Sequence, residues 1–199
     1  MKTRQILSVL IISLCCCCDR SGQTQKGNES DPLNTKPVKP IFPTEEIDSL
    51  RNLTVDDLWE SYNAIKDEVE GLPAEENILQ TIVKLHMAAK YAMALERPDI
   101  AAWQLNNIGY YSILVFQQKT EYQDKLRRME AMPADSSKFN YMERIRLVFR
   151  ENFKLLSQAS RYLEKAYELD SRFEEKDRTQ KIYNNLKFID WVRNFINKR

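Results

Sequence analysis

The sequence predicts an all-α protein: antiparallel helical hairpins, one of them elongated, behind a disordered N-terminal tether. Three observations carry this. Apolar residues after residue 43 recur at three- and four-residue spacing, the period of an amphipathic helix. Strand-like alternation is missing from the same stretch. Glycine and proline are scarce there, with only Gly71, Gly109, Pro73, Pro98 and Pro133 in more than 150 residues, and the prolines fall at segment boundaries.

The chain opens with the basic segment Met1-Lys2-Thr3-Arg4, then the apolar run Ile6 to Leu14, then Cys15-Cys16-Cys17-Cys18. A basic start, a short apolar region and an abrupt boundary form the pattern of a secretory signal peptide. The run is too short to span a bilayer, which takes about 17–25 apolar residues. Four readings compete for the cysteines. Consecutive positions converge poorly on one metal, and no CxxC spacing exists, which counts against zinc. Disulfides would need partners, and all four cysteines of the chain lie in this run. They can be apolar filler of a cleaved peptide. They can also carry lipid, and this is the reading adopted. Leu14-Cys15-Cys16-Cys17 and Ile12-Ser13-Leu14-Cys15 resemble a bacterial lipobox, with the looseness of spirochaetal ones. The resemblance implies acylation at Cys15, Cys16, Cys17 or Cys18 and a membrane anchor.

From Asp19 to Pro43 the composition turns to Gly, Ser, Asn, Gln, Lys and Pro. Lys36 to Pro43 holds three prolines in eight positions. Such a segment buries too little apolar area to offset its ordering entropy. Residues 19–43 are expected to be a flexible tether, its second half kept extended by proline. The helical domain is expected over 44–199.

Thr54-Val55-Asp56-Asp57 has the spacing of a capping box, ahead of apolar periodicity at Leu58, Tyr62, Ile65 and Val69. Gly71 is expected to stop that helix and Pro73 to open the next. The second helix carries Ile78, Ile82, Leu85, Ala89 and Ala92 on one face, runs to Arg97 and is broken by Pro98. Asp99 is placed to cap the third helix. In that helix, apolar residues continue through Ile108, Tyr111, Val115, Tyr122, Leu126 and Met129 without Gly or Pro until Met132-Pro133-Ala134-Asp135. One long helix over 99–131 is therefore expected, pairing with a second over 137–170, and the distal half of the pair is expected to project as an arm. A shorter third helix with a separate one at 120–131 is the alternative. After a polar loop, Ile182, Leu186, Ile189, Val192 and Ile196 predict a closing helix with Lys181, Lys187, Arg193 and Lys198 facing water.

Leu105-x2-Ile108-Gly109 and Ala159-x3-Leu163 resemble the two halves of one tetratricopeptide repeat, separated in sequence. Gly109, Ala159 and Ala166 are the small residues that let two helices approach. The match departs from the pattern at Ser112 and Ser171, and the gap from Gly109 to Ala159 exceeds one repeat of about 34 residues. Residues 54–97 read as a degenerate first repeat, and Tyr183-Asn184-Asn185-Leu186 echoes Leu105-Asn106-Asn107-Ile108. The resemblance implies a binding groove lined by first helices. Its candidates are Trp103, Asn106, Asn107, Tyr110, Tyr111, Asn184 and Asn185.

Composition narrows the function classes. Formal net charge is +1, and loss of Lys2 and Arg4 with the signal leaves 28 basic against 29 acidic side chains. Nothing in that balance points to nucleic acid, and Lys125-Leu126-Arg127-Arg128 reads as a solvated helix face. The one histidine, His86, has no second His or HExxH to build a metal set. GxSxG, GxGxxG and GxxxxGK[ST] do not occur. No enzyme, cofactor or metal site is therefore expected. The expected function is a lipid-anchored scaffold or accessory subunit in the bacterial cell envelope, facing the periplasm or exterior and binding a protein or peptide. The rival is a solute-binding lipoprotein with Trp103, Tyr110 and Tyr111 lining a pore between helices.

Overall fold

The computed structural model describes residues 40–72, 77–171 and 176–198. The chain is all-helical over this range. Cys15 to Cys18, tether residues 19–39, Pro73 and the loop at 172–175 lie outside the described residues.

Seven helices follow in order: α1 (Thr44–Leu50), α2 (Val55–Gly71), α3 (Ile78–Ala94), α4 (Pro98–Thr120), α5 (Tyr122–Ala131), α6 (Ser136–Asp170) and α7 (Lys176–Asn197). Neighbours pack in sequence: α2 on α3, α3 on α4, α4 on α6, α6 on α7. The result is two layers, with α2, α4 and α7 in one and α3 and α6 in the other. The layers are braced laterally. Gln104 of α4 donates to the Tyr62 hydroxyl of α2 at 2.9 Å, and Asn185 of α7 donates to Asn106 of α4 at 3.0 Å. In the other layer, the His86 ring of α3 meets the edge of Tyr162 on α6 at 5.8 Å.

Local chemistry sets the helix ends. The capping box at α2 is complete: Thr54 Oγ1 accepts from the Asp57 amide at 3.1 Å, and the Asp57 carboxylate accepts from the Thr54 amide. Gly71 is the last residue of α2. α3 ends at Ala94, three residues before Arg97, because Glu96 turns left-handed at φ 56°. Arg97 N then donates to Ala92 O and Glu96 N to Met93 O, a Schellman closure. Pro98 sits in the first turn of α4, and Asp135 caps α6 through the amides of Ser137 and Lys138.

Further expectations change. Arg97 rather than Asp99 is the residue at the start of α4, with no side-chain cap bond, and Phe42, expected in the tether, is buried in the core. The stretch 99–131 is two helices, not one. Glu121, at φ 49°, ends α4 and starts α5. No glycine or proline marks the break. The break is where Tyr122 turns into the core, its ring stacked on Phe149 (5.6 Å) and edge-on to Phe188 (5.3 Å) and Trp191 (5.9 Å). The expected arm is likewise covered. α7 runs back along α6, so that Arg146 and Arg150 donate to the Phe195 and Ile196 carbonyls at 3.1 and 3.0 Å. Two cations of one helix thus satisfy terminal acceptors of another, the end where the helix dipole favours positive charge. Ile145 and Phe149 are fully buried beneath them, Leu126 is buried and Met142 is half-buried, while Phe139 at the tip stays 56% exposed.

The expected close approach is present. A Cβ on Gly109 would lie 2.5 Å from Leu163 Cγ, so the contact that needs glycine is with Leu163 rather than Ala159. Ala159 and Ala166 are fully buried in the same seam. Closing-helix residues Ile182, Ile189, Val192 and Ile196 are buried as expected, and Leu186 packs against the core. At the α6–α7 corner the fully buried Asp170 carboxylate pairs with Arg178 and accepts from the Thr179 hydroxyl at 2.6 Å.

Candidate functional site

α4 is buried on most of its circumference, because α3, α6 and α7 all pack on it. Its remaining face carries Trp103, Asn107, Tyr110, Tyr111 and Leu114, spaced so that they share one side of the helix. All five are half-buried. This is the face turned away from α3 and α6.

Each flank is fixed by a polar contact. On the α2 side, Tyr62 accepts from the buried Gln104, and burial pushes the Tyr62 hydroxyl pKa up. Trp59 lies edge-on to Tyr62 at 5.8 Å, and the Arg97 guanidinium stands 5.7 Å over Trp59. Arg97 is held in turn by Asp99 at 2.7 Å; that bond draws the Asp99 carboxyl below its ordinary value. On the α7 side, the Lys181 ammonium stands 5.4 Å over the Trp103 ring, within cation–π range. Between the flanks, Tyr110 and Tyr111 meet edge to face at 5.5 Å, and burial raises the Tyr110 pKa.

The sequence-predicted groove residues therefore divide. Trp103, Asn107, Tyr110 and Tyr111 come together on one face. Asn106 and Asn185 do not face outwards: Asn106 is buried and its amide oxygen is taken by Asn185. They brace α4 against α7 at the edge of the face. Asn184 is exposed one residue away and accepts from Gln180 at 2.9 Å on its own helix.

Sequence reasoning missed a second group of aromatics. Phe116, Tyr122, Phe149, Phe188, Trp191 and Phe195 form a continuous cluster joining α4, α5, α6 and α7. Burial, and secondarily Glu130, raises the Tyr122 hydroxyl pKa far above its ordinary value. Trp191, stacked on Phe195 at 5.4 Å, remains 42% exposed. The sequence signals for parts of this cluster are the apolar row that holds Tyr122 and the density of aromatics at 183–195.

His86 lies between the Phe42 ring at 4.7 Å and the Tyr162 ring at 5.8 Å, each edge-on. Burial, then the neighbouring Lys90, lowers its pKa and favours the neutral imidazole. Among the described residues, no group of three or more His, Cys, Asp or Glu is placed to hold a metal ion, and no helix is long and apolar enough to cross a membrane. No family model, curated protein or solved structure matches the chain.

Proposed function

We propose that this protein is a lipid-anchored scaffold of the bacterial cell envelope that binds a protein or peptide across the outer face of α4. The observation that supports it is the composition of that face. Trp and Tyr are the residues most enriched at binding hot spots, because each buries a large area with few rotatable bonds. Asn107 adds an amide donor and acceptor in their midst. The braces Tyr62–Gln104 and Asn106–Asn185 fix the flanks, which limits the ordering cost on binding. Lys181 contributes the charge at one end. The role is recognition, with no catalytic step. The anchor rests on the lipobox-like run at Cys15 to Cys18, and acyl attachment there would tie the domain to the membrane through residues 19–39.

The test of the site is site-specific photocrosslinking of the full-length protein in its native membrane. A photoreactive residue at Asn107 should capture a discrete partner, and one at Leu147, exposed on α6, should not. Trp103→Ala/Tyr111→Ala should abolish the Asn107 product at unchanged helicity. Equal capture at both positions would remove the α4 face as the site. The anchor is tested separately by detergent partitioning, which should be lost when all four cysteines become serine.

A further inference from the structure

A formal net charge of +1 hides an uneven distribution along the stack. α2 carries six acidic side chains against one basic, while residues 176–199 carry seven basic against two acidic. These helices are the two ends of one layer. α2 rests on α3 and α4, and α7 rests on α6 and α4, so each keeps a side turned away from the rest of the domain.

The two outward rows have the same spacing. On α2, Leu58, Tyr62 and Ile65 are buried, and Asp56, Glu60, Asn63 and Asp67 are exposed on the opposite side. On α7, Ile182, Ile189, Val192 and Ile196 are buried, and Lys187, Trp191, Asn194 and Lys198 are exposed on the opposite side. Each row runs i, i+4, i+7, i+11, which is three helical turns and about 16 Å. Lys198 keeps the register, since its amide still donates to the Asn194 carbonyl at 3.1 Å. Asp56 and Asp67 therefore have the separation of Lys187 and Lys198. The spacing reads the same from either end, so the rows match in both directions. Among the described residues, Asp56, Glu60, Asp67, Lys187 and Lys198 take part in no ion pair, whereas Glu68, turned towards α3, is paired with Lys84.

We propose that the exposed row of α7 in one copy docks on the exposed row of α2 in a second copy, head to tail. Opposite charges then meet at both ends of the row and set its register. Trp191, 42% exposed within the α7 row, supplies a large apolar anchor. Pairing α2 with α2, or α7 with α7, would bring like charges together, which selects the mixed contact. A contact between two different surfaces leaves one of each free, so it repeats from copy to copy. The α4 face lies between the two rows, and the proposal stands independently of the binding role given to it.

The test is sedimentation of the full-length protein in a non-ionic detergent. Mean mass should rise with protein concentration. Lowering salt from about 1 M to about 0.1 M lengthens the screening distance from about 3 to about 10 Å and should tighten the association severalfold. Glu60→Lys/Asp67→Lys should leave the protein monomeric, as should Lys187→Glu/Lys198→Glu, each at unchanged helicity. An equimolar mixture of the two variants should associate again, because each retains the surface that the other has lost. A natural chain that stays monomeric at low salt would overturn the proposal. So would association that survives both reversals, or variants that do not recover on mixing. A second measurement needs no variant. A carbodiimide, which joins a carboxylate to an ammonium in contact with it, should link Lys187 or Lys198 of an isotope-labelled copy to Glu60 or Asp67 of an unlabelled one. Links confined to single copies would overturn the proposal.

Discussion

α4 and α6 meet in two different ways along one interface. At Gly109 the contact depends on a missing side chain: the helix backbone comes so close to Leu163 that a methyl group would lie 2.5 Å from its Cγ. Two turns on, at Phe116, the contact is made of rings, with Phe149 at 5.4 Å and Phe188 at 6.5 Å. The first mode is local to two helices. The second draws in α5 and α7, because each ring needs neighbours on several sides. The end expected to project as an arm is thus the end with the more distributed core. Its break at Glu121 is the local cost of turning Tyr122 inwards.

The sharpest way to break this comparison is to remove the aromatic end. Replacing residues 120–150 by a short turn should abolish the cooperative thermal transition, since it deletes Tyr122, Ile145, Arg146 and Phe149 together. A variant that keeps wild-type helicity and melts cooperatively would restore the projecting arm. Next in size, Phe149→Ala should cost about 3–5 kcal/mol in denaturant unfolding, the usual range for a buried ring replaced by a methyl. A loss below about 1 kcal/mol would mean that the cluster collapses to fill the space.

The close-packed end should respond in the opposite sense, to addition rather than removal. Gly109→Ala should destabilise by about 1–3 kcal/mol through overpacking against Leu163, even though alanine is the better helix former. Leu163→Ala in the same chain should relieve that clash, so the two changes together should cost less than their sum. Strict additivity would place Gly109 away from Leu163.

Comparable in size is the brace beside the binding face. Asn185→Ala leaves the buried Asn106 amide without its donor, a loss of about 1–3 kcal/mol. Replacing both asparagines by leucine should cost less than the single change, because no buried polar group is left unpaired. If the double variant is the worse of the two, the pair is coupled to a wider network than the bond to Asn106.

Legibility in the sequence divides along the same line. Helix periods, the capping box at Thr54, the boundary at Pro98 and the glycine at the α4–α6 approach are short-range signals, and each is legible from a few consecutive residues. The left-handed turns at Glu96 and Glu121 were not, since glutamate advertises nothing about positive φ. The covering of α6 by α7 was not either, because Arg146 and Phe195 are 49 positions apart and nothing local links them. At the candidate site, Trp103, Asn107, Tyr110 and Tyr111 were identifiable because they lie within nine residues on one helix. Which of the paired asparagines faces outwards depends on where α7 docks, and no spacing in the chain encodes that.

The smallest expected effect separates the two left-handed residues. Glu96 and Glu121 both adopt a backbone that costs a non-glycine residue about 1 kcal/mol or more, and both close a helix C-terminus. At Glu96 the closure is complete, and its side-chain partner among the described residues is Arg51, in an exposed ion pair at 3.8 Å worth little in water. Glu96→Gly should therefore stabilise the protein by about 0.5–1 kcal/mol. At Glu121 the same residue starts α5, and its carboxylate pairs with Lys125 at 2.8 Å one turn into that helix, at the end where the dipole favours a negative charge. Glu121→Gly relieves the same strain at the same entropic cost in the unfolded chain, but it also gives up that pair. Its gain should be smaller than that of Glu96→Gly, or absent. Paired denaturant titrations read the difference. An equal gain at both sites would mean that the α4–α5 break is set by backbone conformation alone, and that the Lys125 pair plays no part in holding Tyr122 in the aromatic cluster.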